Sequence, residues 1–326
     1  KAIRRQRQMC IRDRFILLNF FSFSTILYDM KKIVYLLIIS ALIMPLTTLY
    51  SEASLVSDKK YRLEQRKEQR QDIKQIKKLL ETHNNFANRH DLKNLSTLYT
   101  DTYVNNDGFD KKVYFKSIEA TWQACKDLTY TTDIIDIEIT GDYANVNVIE
   151  TAIGTVTDTI ESMPVTGEIH SISTGIYHLV KINGNWFISG ETALSDESSL
   201  LYGDARFMNI EILAPAQVSS GETYTSTVKV DTDEKTFIMG SIDHDPITYP
   251  AGSPKNELRA MPQSQILERV LKANTNNLNE YTIASLAISK AKQTNEKNFQ
   301  IYVAGLACVM RRVNVIPKNN FIKLED

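Results

Sequence analysis

The sequence predicts an α+β fold, with helices packed on one face of a curved antiparallel sheet, followed by a mainly β second half. Three observations predict it. Apolar or weakly polar residues three and four apart, at Ile73, Ile76, Leu80, His83 and Ala87, form one helical stripe. From Ile135 onward the period drops to two. Asn183-Gly184 sits between two alternating runs, the strongest short signal for a β-hairpin.

The elements follow in order. Asp58 to Asp72 is rich in Lys, Arg, Glu and Gln, with Tyr61 and Leu63 its large apolar residues, so it reads as a solvated helix or spacer. The striped helix starts at Ile73. Asp91 is positioned as the N-cap of a second, short helix through Leu92, Leu95 and Leu98 to Tyr99. Asn105-Asn106-Asp107-Gly108 is a turn, and Lys111 to Cys125 reads as a third helix through Val113, Phe115, Ile118 and Trp122. Ile135, Ile137 and Ile139 then alternate with polar residues, Gly141-Asp142 turns the chain, and Ala144, Val146 and Val148 alternate again. A loop near Met163-Pro164 leads to a strand from Ile169 to Ile182, and Trp186 to Leu194 returns beside it.

Ser195 to Ser199 reads as a linker into the second half. There, Asn209 to Leu213 and Tyr224 to Val230 are strands around a turn containing Pro215, and Phe237 to Ile242 is a third. Pro246, Pro250, Pro254 and Pro262 mark a long loop. Ser264 is expected to cap a helix carrying Ile266, Leu267, Val270 and Leu271, and Tyr281 to Ile288 fits strand or helix. Phe299 to Val315 reads as a closing hairpin turned at Gly305.

Met30 to Ala53 has the three parts of a secretory signal peptide: Lys31 and Lys32, the apolar run Ile33 to Tyr50, and Ser51-Glu52-Ala53 as the small-x-small cleavage pattern. The expected location is outside the cytoplasm, periplasmic or secreted, with membrane contact only through this segment if it stays uncleaved. Residues 1–29 read as a non-native leader, because Arg7 to Arg14 resembles translated sequencing-adapter sequence. The expected organisation is therefore a leader at 1–29, a signal peptide at 30–53, a charged segment at 54–72, one domain at 73–202 and a β-rich domain at 203–326. Residues 1–53 hold 8 of the 38 Lys and Arg and 3 of the 39 Asp and Glu, leaving 30 against 36. That acidic balance is not the footprint of a nucleic-acid binder. Beyond Cys10, Cys125 and Cys308 are too few for a disulfide framework and read as free thiols. The sequence after Ala53 has no Ser-His-Asp elbow, HExxH, Walker loop, paired CxxC or dinucleotide glycine fingerprint, and no cofactor or metal is expected.

The order helix, helix, turn, helix, then hairpins, closing on Lys181-Ile182-Asn183-Gly184-Asn185-Trp186-Phe187-Ile188, resembles the nuclear-transport-factor-2-like superfamily, SnoaL-like proteins included, over about residues 70–200. Small polyketide cyclases and ketosteroid isomerases belong to that group. The resemblance implies a cone-shaped domain with a pocket between helices and sheet, and often a homodimer through the sheet. Over about 208–316, strand, Pro-containing turn, Ser-Gly and strand resemble an immunoglobulin-like β-sandwich.

The resemblance leaves function open, because this fold carries enzymes and binding modules alike. The first expectation is an exported non-catalytic binding or assembly protein of the cell envelope, taking a small apolar ligand or a protein partner. The alternative is an isomerase, dehydratase or lyase, which needs a desolvated base and an oxyanion donor. Its candidates are His170 and His178, eight apart and so on one strand face, with Asp107 or Asp133 as carboxylate. Tyr99, Tyr103, Trp122, Tyr130, His178 and Trp186 are the expected pocket lining. Asp243-His244-Asp245 reads as a turn and Arg311-Arg312 as a solvated face.

Overall fold

A computed structural model describes residues 63–160, 163–232, 236–252, 257–295 and 298–318. The expected signal segment and leader lie outside the described residues. Among those described, no helix is long and apolar enough to cross a membrane.

The helices precede the sheet. Helix α1 covers residues 63–88; its first nine residues are exposed, and from Asp72 its buried positions are Asp72, Ile76, Leu79, Leu80, His83 and Ala87. Asp72, expected on a solvated segment, is buried because the Trp186 indole N–H donates to it at 3.1 Å and Lys181 Nζ pairs with it at 2.7 Å. Removing one partner of such a buried pair costs about 3–5 kcal/mol. Helix α2 (Leu92–Ser96) is capped by Asp91, which accepts from the Asn94 N–H, and α3 (Lys111–Ala124) by Asp110, which accepts from the Val113 N–H. Tyr99 does not extend α2. It opens strand β1 (Tyr99–Asn105), which pairs in parallel with a later strand.

Four long antiparallel strands follow: β2 (Thr129–Thr140), β3 (Tyr143–Ile160), β4 (Met163–Ile182) and β5 (Asn185–Gly203). Pro164 pairs with Thr159 inside the β3–β4 ladder, so the strand begins where a loop was expected. Ser195 to Ser199 is likewise strand rather than linker, paired with β4 on one side and partly with the last of the described strands on the other.

After a 3-10 turn at Asp204–Phe207 come β6 (Ile210–Leu213), β7 (Gln217–Ser219), β8 (Thr223–Val230), β9 (Thr236–Pro246), β10 (Arg259–Ala260), β11 (Ile266–Lys272), β12 (Glu280–Asn295) and β13 (Asn298–Ile316). The helix expected after Ser264 is β11, antiparallel to β8. The turn expected at Gly305 is absent. Gly305 lies inside β13, whose hairpin partner is β12, and a Cβ there would come within 2.7 Å of the Ala205 nitrogen.

One sheet runs β10-β9-β12-β13-β5-β4-β3-β2, with β1 against β5 and β7 against β13; a second is β11-β8-β6. Two buried cores result. One packs α1, α2 and α3 on β1 to β5 around Leu95, Tyr103, Val146, Leu179 and Ile188. The other lies between the two sheets around Val228, Val230, Ile242, Leu286 and Val313. Strand β5 joins them, its first part facing β1 and its last part β13. Cys125 is a buried free thiol and Cys308 a half-buried one.

Candidate active site

The site is built on the face of β3, β4 and β5 that looks toward the helices. Val146 and Val148 point into the core, so alternation carries Glu150 inward too. On β4 the inward residues are Tyr177 and Leu179. On β5, Trp186 and Ile188 point inward, and strict alternation would continue with Gly190. The β4–β5 register shifts between His178 and Leu179: Ile188 faces Leu179, Gly190 faces His178 and Glu191 faces Tyr177. This one-residue bulge turns Glu191 toward the interior.

Glu150 and Glu191 line one small cavity of about 50 Å³ with Val148, Tyr177, Thr192 and Ala193, enough for a few water molecules. Hydroxyl groups surround the carboxyls. Tyr99 and Tyr114 each donate to Glu191 Oε1 at 3.2 Å. Tyr177 donates to Glu150 Oε1 at 2.8 Å and Thr132 at 3.1 Å. His83, from α1, shares a 2.8 Å hydrogen bond with the Tyr99 hydroxyl and packs edge-on to Tyr177. The buried Tyr103 hydroxyl lies beside the Glu191 carboxyl without completing a hydrogen bond.

Burial sets the protonation states. It pushes Glu191 up to about 8, and the neighbouring Glu150 charge adds to the rise. Glu150 is raised as well, by burial, against the opposing hydrogen bonds from Tyr177 and Thr132. Burial lowers His83 to about 4. Tyr99, Tyr103, Tyr114 and Tyr177 are all raised, first by burial. At neutral pH the centre thus holds a protonated Glu191, a neutral His83 and neutral phenols, with Glu150 the other carboxyl.

The residues named from sequence are distributed differently. Tyr99 and Tyr103 belong to this cluster. Trp122 donates its indole N–H to the Tyr130 hydroxyl at 2.9 Å and stacks on His90, apart from the carboxyls. Trp186 is committed to Asp72. His170 and His178 are on the opposite face of β4, because the core takes the odd-numbered Tyr177 and Leu179. His178 bonds Asn145 and Thr192 at 2.8 Å each, and His170 lines an open depression with Ile172 and Glu197. Neither histidine lines the carboxyl cavity. Asp133 is exposed, and Asp107 is held by Arg312. Arg312 is accordingly buried rather than solvated. Asp243-His244-Asp245, expected as a turn, lies within β9 paired to β12, and His244 Nε2 is 2.9 Å from the Lys272 carbonyl oxygen.

Gly190 keeps the bulge possible. A Cβ there would come within 2.9 Å of the Val104 carbonyl oxygen on β1. We expect Gly190→Ala to separate β1 from β5 and cost about 1–3 kcal/mol, measurable as a lower urea midpoint; an unchanged midpoint would show that β1 yields freely.

No protein family and no curated protein matches the sequence. Solved structures are similar over 38–39 % of the chain, a share the size of the helix-and-sheet half. One bears the name scytalone dehydratase, from Novosphingobium aromaticivorans: 16 % identity, 39 % of this chain, 85 % of that one, TM-score 0.33. A hexachlorocyclohexane dehydrochlorinase from Novosphingobium barchaimii has 13 % identity over 39 % of this chain and 87 % of its own, TM-score 0.31. A Streptomyces avermitilis protein described as a dehydratase of the NTF2-like family has 16 % identity over 38 % and 95 %, TM-score 0.29. The expectation of a non-catalytic binding or assembly protein is corrected on the geometry of the site: two buried carboxyls on one cavity are groups that an assembly scaffold has no need of. These likenesses, at 16 % identity or less, concern fold alone.

Proposed function

We propose that this domain is a small-molecule dehydratase or isomerase working by general acid–base catalysis. The observation that carries the reading is the pair of carboxyls on one cavity, one of them held protonated at neutral pH. Environments that separate two carboxyls in this way assign an acid and a base. Glu150, supported by the Tyr177 and Thr132 hydroxyls, takes the proton from the carbon next to a carbonyl. The electron pair of that C–H bond forms the enolate, whose oxygen is met by the uncommitted Tyr103 hydroxyl. Glu191 gives its proton to the departing β-hydroxyl, the C–O bond breaks, and water leaves. A proton returned to the γ-carbon instead completes an isomerisation. The substrate class is a small β-hydroxy or β,γ-unsaturated carbonyl compound, of which the cavity, with room for a few water molecules, takes only the reacting atoms.

The finer architecture is part of the proposal: a cone of helices on a curved sheet, then a sandwich of immunoglobulin-like kind. Export is proposed from the Met30–Ala53 pattern. The test is a screen of small β-hydroxy ketones and β,γ-unsaturated ketones, reading the conjugated product by ultraviolet absorbance and released water by oxygen-18 exchange. Turnover that disappears in both Glu150→Gln and Glu191→Gln supports the reading. Turnover that survives in both variants overturns it.

A further inference from the structure

The second half of the chain touches the strand that carries Glu191 through one linked set of polar side chains. Arg312 on β13, 3 % exposed, donates through both terminal nitrogens to Asp107, at 2.6 and 3.0 Å. Asn279, just before β12, donates to the same carboxylate at 2.8 Å. The neighbour of Asp107, Asn106, exchanges two 3.1 Å hydrogen bonds with the Ala193 backbone, and its own N–H donates to the Glu191 carbonyl at 2.9 Å. Asn314, held at 2.8 Å by Arg312 Nε, donates to the Leu194 carbonyl at 2.7 Å. Tyr281 reaches Asp196 from the same side.

Every backbone group on β5 that these side chains hold lies within three residues of Glu191. A second shift of the β4–β5 register falls there, since Gly175 faces Ala193 and Thr174 faces Ser195, and such an irregularity leaves ladder hydrogen bonds for these side chains to replace. Arg312 is suited to the task, because a guanidinium fork binds a carboxylate in one orientation.

We propose that Arg312 and Asp107 are positioning residues, by which the β-rich half fixes the Asn106 turn and so aims the Glu191 carboxyl into the cavity. The consequence for the site rests on the proposed acid role of Glu191. The β-rich half is then part of the catalytic apparatus, and the first half alone holds Glu191 loosely.

The test uses the full chain. Asp107→Leu with Arg312→Met removes the pair without leaving a buried charge unpaired, and Asn279→Ala is the milder variant should the double one fail to fold. Arg312→Lys keeps the charge without the fork. The readouts are carbon-13 carboxyl titration of glutamate-labelled protein, with the Glu191 signal assigned by Glu191→Gln, and amide exchange at Asn106 and Ala193. Wild type should show a carboxyl titrating near 8. The proposal expects that midpoint to move at least one pH unit toward the ordinary range in the double variant, less in Arg312→Lys, and exchange at both amides to rise at least tenfold while helix and sheet content stay constant. An unmoved midpoint with unchanged exchange overturns it. A wild type with no carboxyl titrating above 6 overturns the acid role of Glu191; the clamp is then judged by amide exchange alone, a tenfold rise supporting it and no change sinking it.

Discussion

Glu191→Gln is expected to make the protein more resistant to urea at pH 8.5 while leaving it unchanged at pH 4. The glutamine keeps an acceptor for Tyr99 and Tyr114 but has no charge to bury. In the wild type, a group raised from 4.5 to about 8 holds its proton in the folded state after the unfolded state has lost it. Its contribution is therefore full below pH 4.5 and is lost as pH rises through 8, a span worth about 5 kcal/mol at about 1.36 kcal/mol per unit. His83 works the other way. Its folded value of about 4 lies below its ordinary 6.5, so it favours the folded state above pH 6.5 and loses about 3 kcal/mol of that as pH falls to 4. Between pH 4.5 and 6.5 the His83 slope opposes that of Glu191; above 6.5 His83 no longer offsets it and stability declines. Urea midpoints from pH 4 to 9 for wild type, Glu191→Gln and His83→Gln check this. If wild type and Glu191→Gln stay parallel from pH 6.5 to 8.5, Glu191 is not the buried acid described.

A stability cost of this size at a buried carboxyl is what the proposed acid role of Glu191 requires. The sequence had named other ionisable groups, His170 and His178, which do not line this cavity. The helical stripe was legible down to His83, and the caps at Asp91 and Asp110 set where α2 and α3 begin. Glu150 was within reach, because the run Ala144, Val146, Val148 continues to it with unbroken parity. Glu191 was not, because one inserted residue near Gly190 reverses the facing that Trp186 and Ile188 establish, and no spacing reports a bulge in advance. The parity of His170 and His178 was sound, and Ile172 shares it. Ile172 is exposed, and the helices cover the face of Tyr177 and Leu179. In the second half, Ile266, Leu267, Val270 and Leu271 imitate a helical stripe because the inward slot between Leu267 and Leu271 is occupied by Arg269, which donates to the Ile242 carbonyl, while Val270 faces solvent. The Asp107–Arg312 link, between residues 205 apart, leaves no local trace at all.

Glu150→Gln is expected to lower kcat by about 10²- to 10⁴-fold, the usual loss when a positioned general base is removed. KM should stay within a few-fold, since the amide fills the same volume and still accepts from Tyr177 and Thr132. The pH dependence of kcat separates the two carboxyls. Loss of the proton from Glu191 ends the acid role, so the wild-type rate should fall as pH rises through about 8. The lower limb reports Glu150 becoming a carboxylate. Tyr177→Phe removes a donor that favours the charged form of Glu150, which raises its pKa further and moves that limb toward higher pH with the upper limb in place. A Glu150→Gln enzyme with kcat within twofold of wild type, or a Tyr177→Phe profile displaced at the upper limb alone, would reverse the assignment and make Glu191 the base. The small cavity gives the same experiment a second use: with room for few atoms beside the two carboxyls, a rate that collapses when one methylene is added next to the reacting carbon places the substrate inside it.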